Sequence, residues 1–121
     1  MEQKLLFVLT KGFEKSGGAT RAVQFAAMAA EGGAHVDLFL VDDAIYWAQV
    51  GMAEGVHTST GEHMKDLLEK LVRHQCPIHV CKACADRRLI SPDEIIPGSR
   101  ISTSKELIGM MTDPAYKVIT F

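Results

Sequence analysis

Cys81 and Cys84 stand in the run Pro77-Ile78-His79-Val80-Cys81-Lys82-Ala83-Cys84-Ala85-Asp86-Arg87-Arg88, where a short apolar strand gives way to a helix. The first turn of a helix presents unpaired N–H groups and a partial positive charge, so a thiol at such a junction is favoured as thiolate. A thiolate there can attack an outer sulfur atom, hold it as Cys–S–SH and release it to a second thiol. Cys84 follows one helical turn later on the same face, within reach of a persulfide or of a disulfide with Cys81. The other reading of Cys84 is a small buried apolar residue. Lys82 adds positive potential, whereas Arg87 and Arg88 lie almost two turns on and read as surface or interface residues.

Other chemistries fit the same cysteines less well. The spacing Cys76-x4-Cys81-x2-Cys84 matches the first three ligands of a plant-type iron–sulfur site, but a fourth cysteine is missing. His74 and His79 complete a zinc set on paper, yet Cys76 and Cys81 flank a buried strand and should not converge on one ion. No metal and no cofactor is expected. Cys-x-x-Cys beside a strand–helix unit also fits a dithiol redox protein; against this, the motif opens the third unit and no cis-proline partner loop is recognisable. Asp42 and Asp43 close the second strand at the edge where α/β folds bind ligands, a position that also suits helix caps. The polar loop His57, Thr58, Ser59, Thr60 and His63 reads as a surface loop or a cover for the thiols.

The elements that must position these residues follow from pattern. Lys4 to Leu9 is a continuous apolar run, as in a strand buried on both faces, and an Ala-rich helix over 19–31 follows and stops at Gly32-Gly33. His35 to Val41 reads as a second strand and Ala44 to Val50 as a short helix carrying Tyr46 and Trp47, core or interface aromatics. Met64, Leu67, Leu68, Leu71 and Val72 recur at helical spacing within 62–74. Pro77 to Val80 is the third strand, the cysteine helix runs to about Leu89, and Ser91-Pro92-Asp93-Glu94 has the form of another helix start. A weak strand over 99–102, a helix from 103 or 104 to 111 and a strand over 116–121 complete the alternation. Strands and helices alternating with short links predict a three-layer α/β/α sandwich with a mainly parallel five-stranded sheet.

Composition narrows the function classes. The 121 residues suit one domain over 1–121, 47% are apolar and 23% charged, and a formal net charge of −2 argues against a nucleic-acid partner. The longest apolar run near the start is too short for a signal-peptide core or a membrane span, so a cytoplasmic protein that engages no membrane is expected. Three cysteines are an odd number for a disulfide framework and favour free thiols. The stretch from Gly12 to Gly18 is no phosphate-binding Walker loop, since no Gly-Lys-Ser/Thr follows.

Taken in order, three segments carry a family resemblance over nearly the whole chain: Gly18-Ala19-Thr20-Arg21-Ala22-Val23-Gln24-Phe25-Ala26 after the first strand, Val36-Asp37-Leu38-Phe39-Leu40 before Asp42-Asp43-Ala44, and Cys81-Lys82-Ala83-Cys84-Ala85-Asp86-Arg87-Arg88. Their order and spacing resemble the DsrE/DsrF-like sulfur-relay family. Cys81 is similar to that family's sulfur-carrying cysteine, six residues before Arg87, which resembles its helix arginine. Leu89 departs from the pattern, standing where members often have glycine. The resemblance implies a five-stranded α/β/α fold, homo- or hetero-oligomers, and persulfide transfer between partner proteins. The expectation is a sulfur carrier using Cys81, with Cys84 modulating, that meets donor and acceptor proteins as a homo-oligomer. The competing classes are a dithiol redox protein and a non-catalytic oligomeric scaffold whose cysteines only pack.

Overall fold

The computed structural model describes residues 3–121. Five strands, β1 (Lys4–Leu9), β2 (His35–Leu40), β3 (Ile78–Cys81), β4 (Ser99–Ser102) and β5 (Tyr116–Thr120), alternate with helices α1 (Ser16–Glu31), α2 (Met64–Arg73), α3 (Lys82–Arg87) and α4 (Ser104–Met111). The sheet has the order β4-β3-β2-β1-β5 and every pairing is parallel.

The two layers of helices follow from this order. Chain direction from β1 to β4 steps one way across the sheet, and the last crossover returns past β1 to β5. Right-handed crossovers therefore put α1 and α2 on one face and α4 on the other. The face under α1 and α2 carries Phe7, Leu9, Val36, Leu38, Leu40, Ile78 and Val80, all buried. Phe121 extends it, stacking on Phe7 at 6.2 Å and meeting Phe25 of α1 at 6.4 Å. Alanines 19, 22, 26, 27 and 30 let α1 lie close to this surface. Helix α1 ends where Gly33 takes φ +97°, a left-handed turn that lets the Ala34 N–H reach back to the Ala29 carbonyl at 3.1 Å. Helix α2 buries Met64, Leu67, Leu68 and Leu71 and is tied to α1 by Lys70 and Glu31 at 3.1 Å.

The opposite face is more thinly covered. Thr103 and Glu106 close a reciprocal cap on α4, yet the helix has no fully buried residue; only Leu107 and Met110 lean on the core.

Two local expectations change. The short helix expected over 44–50 is a 3-10 segment, Asp42–Ala48, and the helix expected after Ser91 is a single 3-10 turn, Pro92–Glu94. Both stop for one reason: Gln49 and Ile95 form an antiparallel bridge, with Val50 N–H on the Glu94 carbonyl and Ile96 N–H on the Ala48 carbonyl, each at 2.8 Å. Backbone groups committed to that pairing cannot continue a helix.

Candidate functional site

Strand β3 delivers Cys81 to the carboxyl edge of the sheet as its last residue, one strand in from the β4 edge. Cys81 is also the residue that caps α3, in extended conformation, and only 7% of its surface is exposed. Helix α3 stops at Arg87, two residues short of the expected end at Leu89, so fewer aligned peptide dipoles stand behind the thiol than a longer helix would supply. The stop is a left-handed cap. Leu89 takes φ +57°, and the N–H groups of Leu89 and Ile90 reach the carbonyls of Asp86 and Ala85 at 3.2 and 2.9 Å.

Cys84 faces the loop after β2. Its sulfur accepts the Asp42 N–H at 3.2 Å, and its thiol can donate to Asp42 Oδ1 at 3.9 Å. Asp42 itself is held at φ +51°, a conformation that aspartate tolerates better than most residues. Burial first, and then the neighbouring Cys81, push the Cys84 thiol above its ordinary range, while the Asp42 N–H works in the other direction. Arg88 reaches back from the end of α3 to Asp43, with Nη2 at 2.9 Å and Nε at 3.3 Å from Oδ1. The β2 loop is thereby pinned from both sides. Gly12, after β1, is the third wall: a Cβ there would lie 2.6 Å from the Asp43 carbonyl oxygen. Lys82 is engaged by Asp86 at 2.7 Å in an exposed pair, and Arg87 is exposed.

Cys76 lies at the other end of β3, so the extended strand separates it from Cys81 and Cys84. It is buried, its thiol donates to the His74 carbonyl at 3.7 Å, and burial raises its pKa. Among the described residues, no three His, Cys, Asp or Glu side chains gather as a metal site. The loop over 57–63 does not cover the thiols. Ser59 accepts from Arg21 at 2.6 Å and Glu62 from Gln24 at 2.9 Å, which fastens the loop to α1. Trp47 is fully buried, with Phe13 packed on its ring at 4.4 Å and its indole N–H on the Lys11 carbonyl at 2.9 Å. A cavity of about 440 Å³ lies elsewhere, between α2 and the chain around Val50 and Ile96, and no cysteine lines it.

Sequence reasoning weighed His79 only as a zinc ligand and gave Asp37 no role beyond its place in a segment of the family resemblance. In the structure the two form a buried pair, His79 Nε2 to Asp37 Oδ2 at 2.6 Å, on the sheet face that also carries Cys81. His79 Nδ1 faces the Ser102 hydroxyl at 2.8 Å, and Asp37 Oδ1 takes Tyr116 at 2.8 Å and His35 at 2.6 Å. Burial pushes the Asp37 carboxyl up, but hydrogen bonds from His79, Tyr116 and His35 outweigh it and hold the group below the usual aspartate range. Burial and the bond to Asp37 raise the Tyr116 phenol well above its ordinary value. The signal in the sequence was a charged residue inside an otherwise apolar central strand, His35-Val36-Asp37-Leu38-Phe39-Leu40, since such a residue must be paired.

The architecture and site together define a parallel α/β/α protein with a thiol pair at the carboxyl edge of its sheet. The chain belongs to the DsrE/DsrF-like family, whose pattern it matches over residues 3–121. It is 37% identical over 84 residues to protein YchN of Escherichia coli K12, covering 69% of this chain and 68% of that one. The crystal structure of the E. coli ychN protein superposes with a TM-score of 0.85 at 28% identity, covering 98% and 99% of the two chains. The structure of MTH1491 from Methanobacterium thermoautotrophicum, at 9% identity and a TM-score of 0.73 over 99% of this chain and 100% of that one, shares the fold. No helix among the described residues is long and apolar enough to cross a membrane.

Proposed function

We propose that the protein carries sulfane sulfur as a persulfide on Cys81 and hands it to the thiol of a partner protein. The observation that carries this reading is the thiol pair, buried Cys81 at the strand end with half-buried Cys84 one turn on, in a member of the DsrE/DsrF-like family. In the first step the Cys81 thiolate attacks the outer sulfur of a donor R–S–SH. A Cys81–S bond forms, the donor S–S bond breaks, and the donor leaves as R–S⁻. In the second step an acceptor thiolate attacks the same outer sulfur and Cys81 leaves as thiolate. Neither step needs an added oxidant or reductant.

Cys84 modulates this chemistry by staying a thiol. A Cys84 thiolate would attack Cys81–S–SH, make the internal disulfide and lose the cargo as hydrosulfide. Burial and the neighbouring Cys81 raise the Cys84 thiol and oppose that loss.

The carrier works in the cytoplasm as a homo-oligomer, with protein donors and acceptors and with neither nucleic acid nor membrane as partner. Support for assembly comes from apolar side chains left bare around the site and α4: Leu89 is 88% exposed and Ile108 54%, and Met111 and Val118 are exposed as well. The test is intact-protein and peptide mass after exposure to inorganic polysulfide. One added sulfur atom on Cys81, abolished in Cys81→Ser and retained in Cys76→Ser, is the expected result. Loading on Cys76 alone, or no loading at all in folded protein, overturns the carrier reading.

A further inference from the structure

We propose that Asp42 is a positioning residue for the thiol pair: its left-handed backbone aims the Asp42 N–H at the Cys84 sulfur and so restrains that sulfur from attacking a loaded Cys81; this rests on Cys81 being the sulfur-carrying thiol. Among the described residues, three that are not glycine take a positive φ: Asp42 at +51°, Gln75 at +59° and Leu89 at +57°. Two of them end helices. The Gln75 N–H reaches the Val72 carbonyl at 2.9 Å after α2, and the Leu89 N–H reaches the Asp86 carbonyl at 3.2 Å after α3, so both are left-handed helix ends. Asp42 instead follows β2. It lies in a turn closed by the Ala44 N–H on the Val41 carbonyl at 3.0 Å, and a turn with negative φ at both central residues closes the same bond. Chain reversal therefore does not require the strain. What the left-handed residue adds is the direction of its N–H, which donates to Cys84 Sγ at 3.2 Å, while Asp42 Oδ1 lies 3.9 Å from the same sulfur and accepts its S–H.

The surroundings fix this conformation from two sides. Arg88 grips Asp43 Oδ1 at 2.9 and 3.3 Å and its Nη1 donates to the Cys84 carbonyl at 3.4 Å, so one side chain fastens the β2 loop to the Cys84 turn of α3. Gly12 closes the other side, where even a Cβ would lie 2.6 Å from the Asp43 carbonyl oxygen. Strained backbone that its neighbours over-determine in this way clusters at reactive sites.

The reaction held back is the loss of the cargo. Cys84 Sγ attacks Cys81 Sγ of Cys81–S–SH and the Cys81–Cys84 bond forms. The bond to the outer sulfur breaks, hydrosulfide leaves with its electron pair, and the Cys84 proton passes to water. The sulfane sulfur is the oxidant, so no further reagent is needed. A sulfur lone pair engaged by an N–H must shed that bond before it attacks, and a sulfur whose pKa the donor lowers also loses nucleophilicity. The Asp42 carboxylate restrains the same attack, because negative charge beside the S–H opposes its ionisation.

The test separates backbone conformation from charge. The full chain is loaded with inorganic polysulfide, excess donor is removed and intact mass is followed with time; iodoacetamide capture of Cys84 in the unloaded protein is read in parallel by peptide mass. Valine, branched at Cβ, resists a positive φ, whereas asparagine and glycine accept it. Asp42→Val is expected to shorten the loaded lifetime and to speed Cys84 capture about fivefold each, the scale of one hydrogen bond, while Asp42→Asn and Asp42→Gly stay within about twofold of the wild type. In a Cys84→Ala background Asp42→Val should leave the lifetime unchanged, which general loosening of the loop would not do. Circular dichroism checks folding, and Asp42→Ala, strained at the same φ by its Cβ, replaces the valine variant if that one does not fold. Wild-type lifetime and capture in the folded variant, or a shortened lifetime that persists without Cys84, overturns the role of Asp42. The two proposals fail separately. Loading on Cys81 with unmoved Cys84 capture removes the restraint and keeps the carrier, whereas faster capture without any loading keeps the hold on Cys84 and removes the carrier.

Discussion

The two faces of this sheet are made by the same strands and have opposite chemistry. Under α1 and α2, the face of Phe7, Leu9, Leu38, Leu40 and Val80 is dry and aliphatic or aromatic throughout. Toward α4, Leu6, Val8 and Phe39 are interrupted by Asp37, His79, Ser102 and Cys81, and among the described residues every buried side-chain nitrogen and oxygen has a partner. The first face is what any parallel α/β protein requires. The second is more polar than folding alone requires: hydrogen bonds join Asp37, His79 and Ser102 across adjacent strands, on the face that also carries Cys81.

The sharpest way to break the comparison is one truncation on each face. Asp37→Ala strands the donors of His79, His35 and Tyr116 and is expected to cost about 4 kcal/mol, the scale for removing one partner of a buried charged pair. Leu38→Ala, one residue along and on the dry face, is expected to cost about 3 kcal/mol through lost transfer energy and an unfilled cavity. Urea unfolding at neutral pH measures both. The faces then separate by pH. Asp37 titrates lower in the folded than in the unfolded chain, so its contribution is complete above the ordinary aspartate value near 3.9 and is lost as pH falls through its lowered folded value. Leu38→Ala should keep the wild-type loss of stability in that acid window, and Asp37→Asn should flatten it. Parallel curves for wild type and Asp37→Asn would show that the carboxylate has no special folded environment.

A smaller effect is expected at Cys84, where the polar face meets the β2 loop. Cys84→Ala should load sulfur on Cys81 as the wild type does, and the lifetime of the loaded form should change by a few-fold, read by mass at intervals after the donor is removed. Complete loss of loading in folded Cys84→Ala protein would instead make the two cysteines an obligatory dithiol and favour the redox reading.

How much of this was legible in the sequence follows the same division between faces. The dry face was readable because continuous apolar runs, an Ala-rich helix and the Met64-Leu67-Leu68-Leu71 spacing are local patterns, and the five-stranded α/β/α architecture follows from their alternation. The thiol pair was readable because its residues are three apart. The polar line was not, since Asp37, His79 and Ser102 are separated by 42 and 23 positions and meet only through strand register. Likewise, nothing local to Ala44–Val50 or Ser91–Glu94 announces that Gln49 and Ile95 will pair and end both segments as short 3-10 turns.

The smallest expected effect tests the rim that joins the thiol edge to the bare surface. Leu89 is doubly unfavourable in an isolated chain: φ is +57°, where a side chain is strained, and the side chain is almost wholly exposed. The two cap hydrogen bonds offset the backbone strain in part, but nothing within the fold covers the side chain, and a second copy packed on Leu89 would. Leu89→Gly should relieve the strain and stabilise the dilute protein by about 1 kcal/mol, offset in part by the greater freedom of glycine in the unfolded chain. The same substitution removes an apolar anchor, so light scattering at micromolar concentration should show a smaller species than the wild type. Both shifts together place Leu89 in the subunit contact, five residues from Cys84, where an assembled partner would shelter the persulfide. A rise in stability with unchanged assembly would place the contact elsewhere, and the polar face would then have to protect its sulfur without a neighbour.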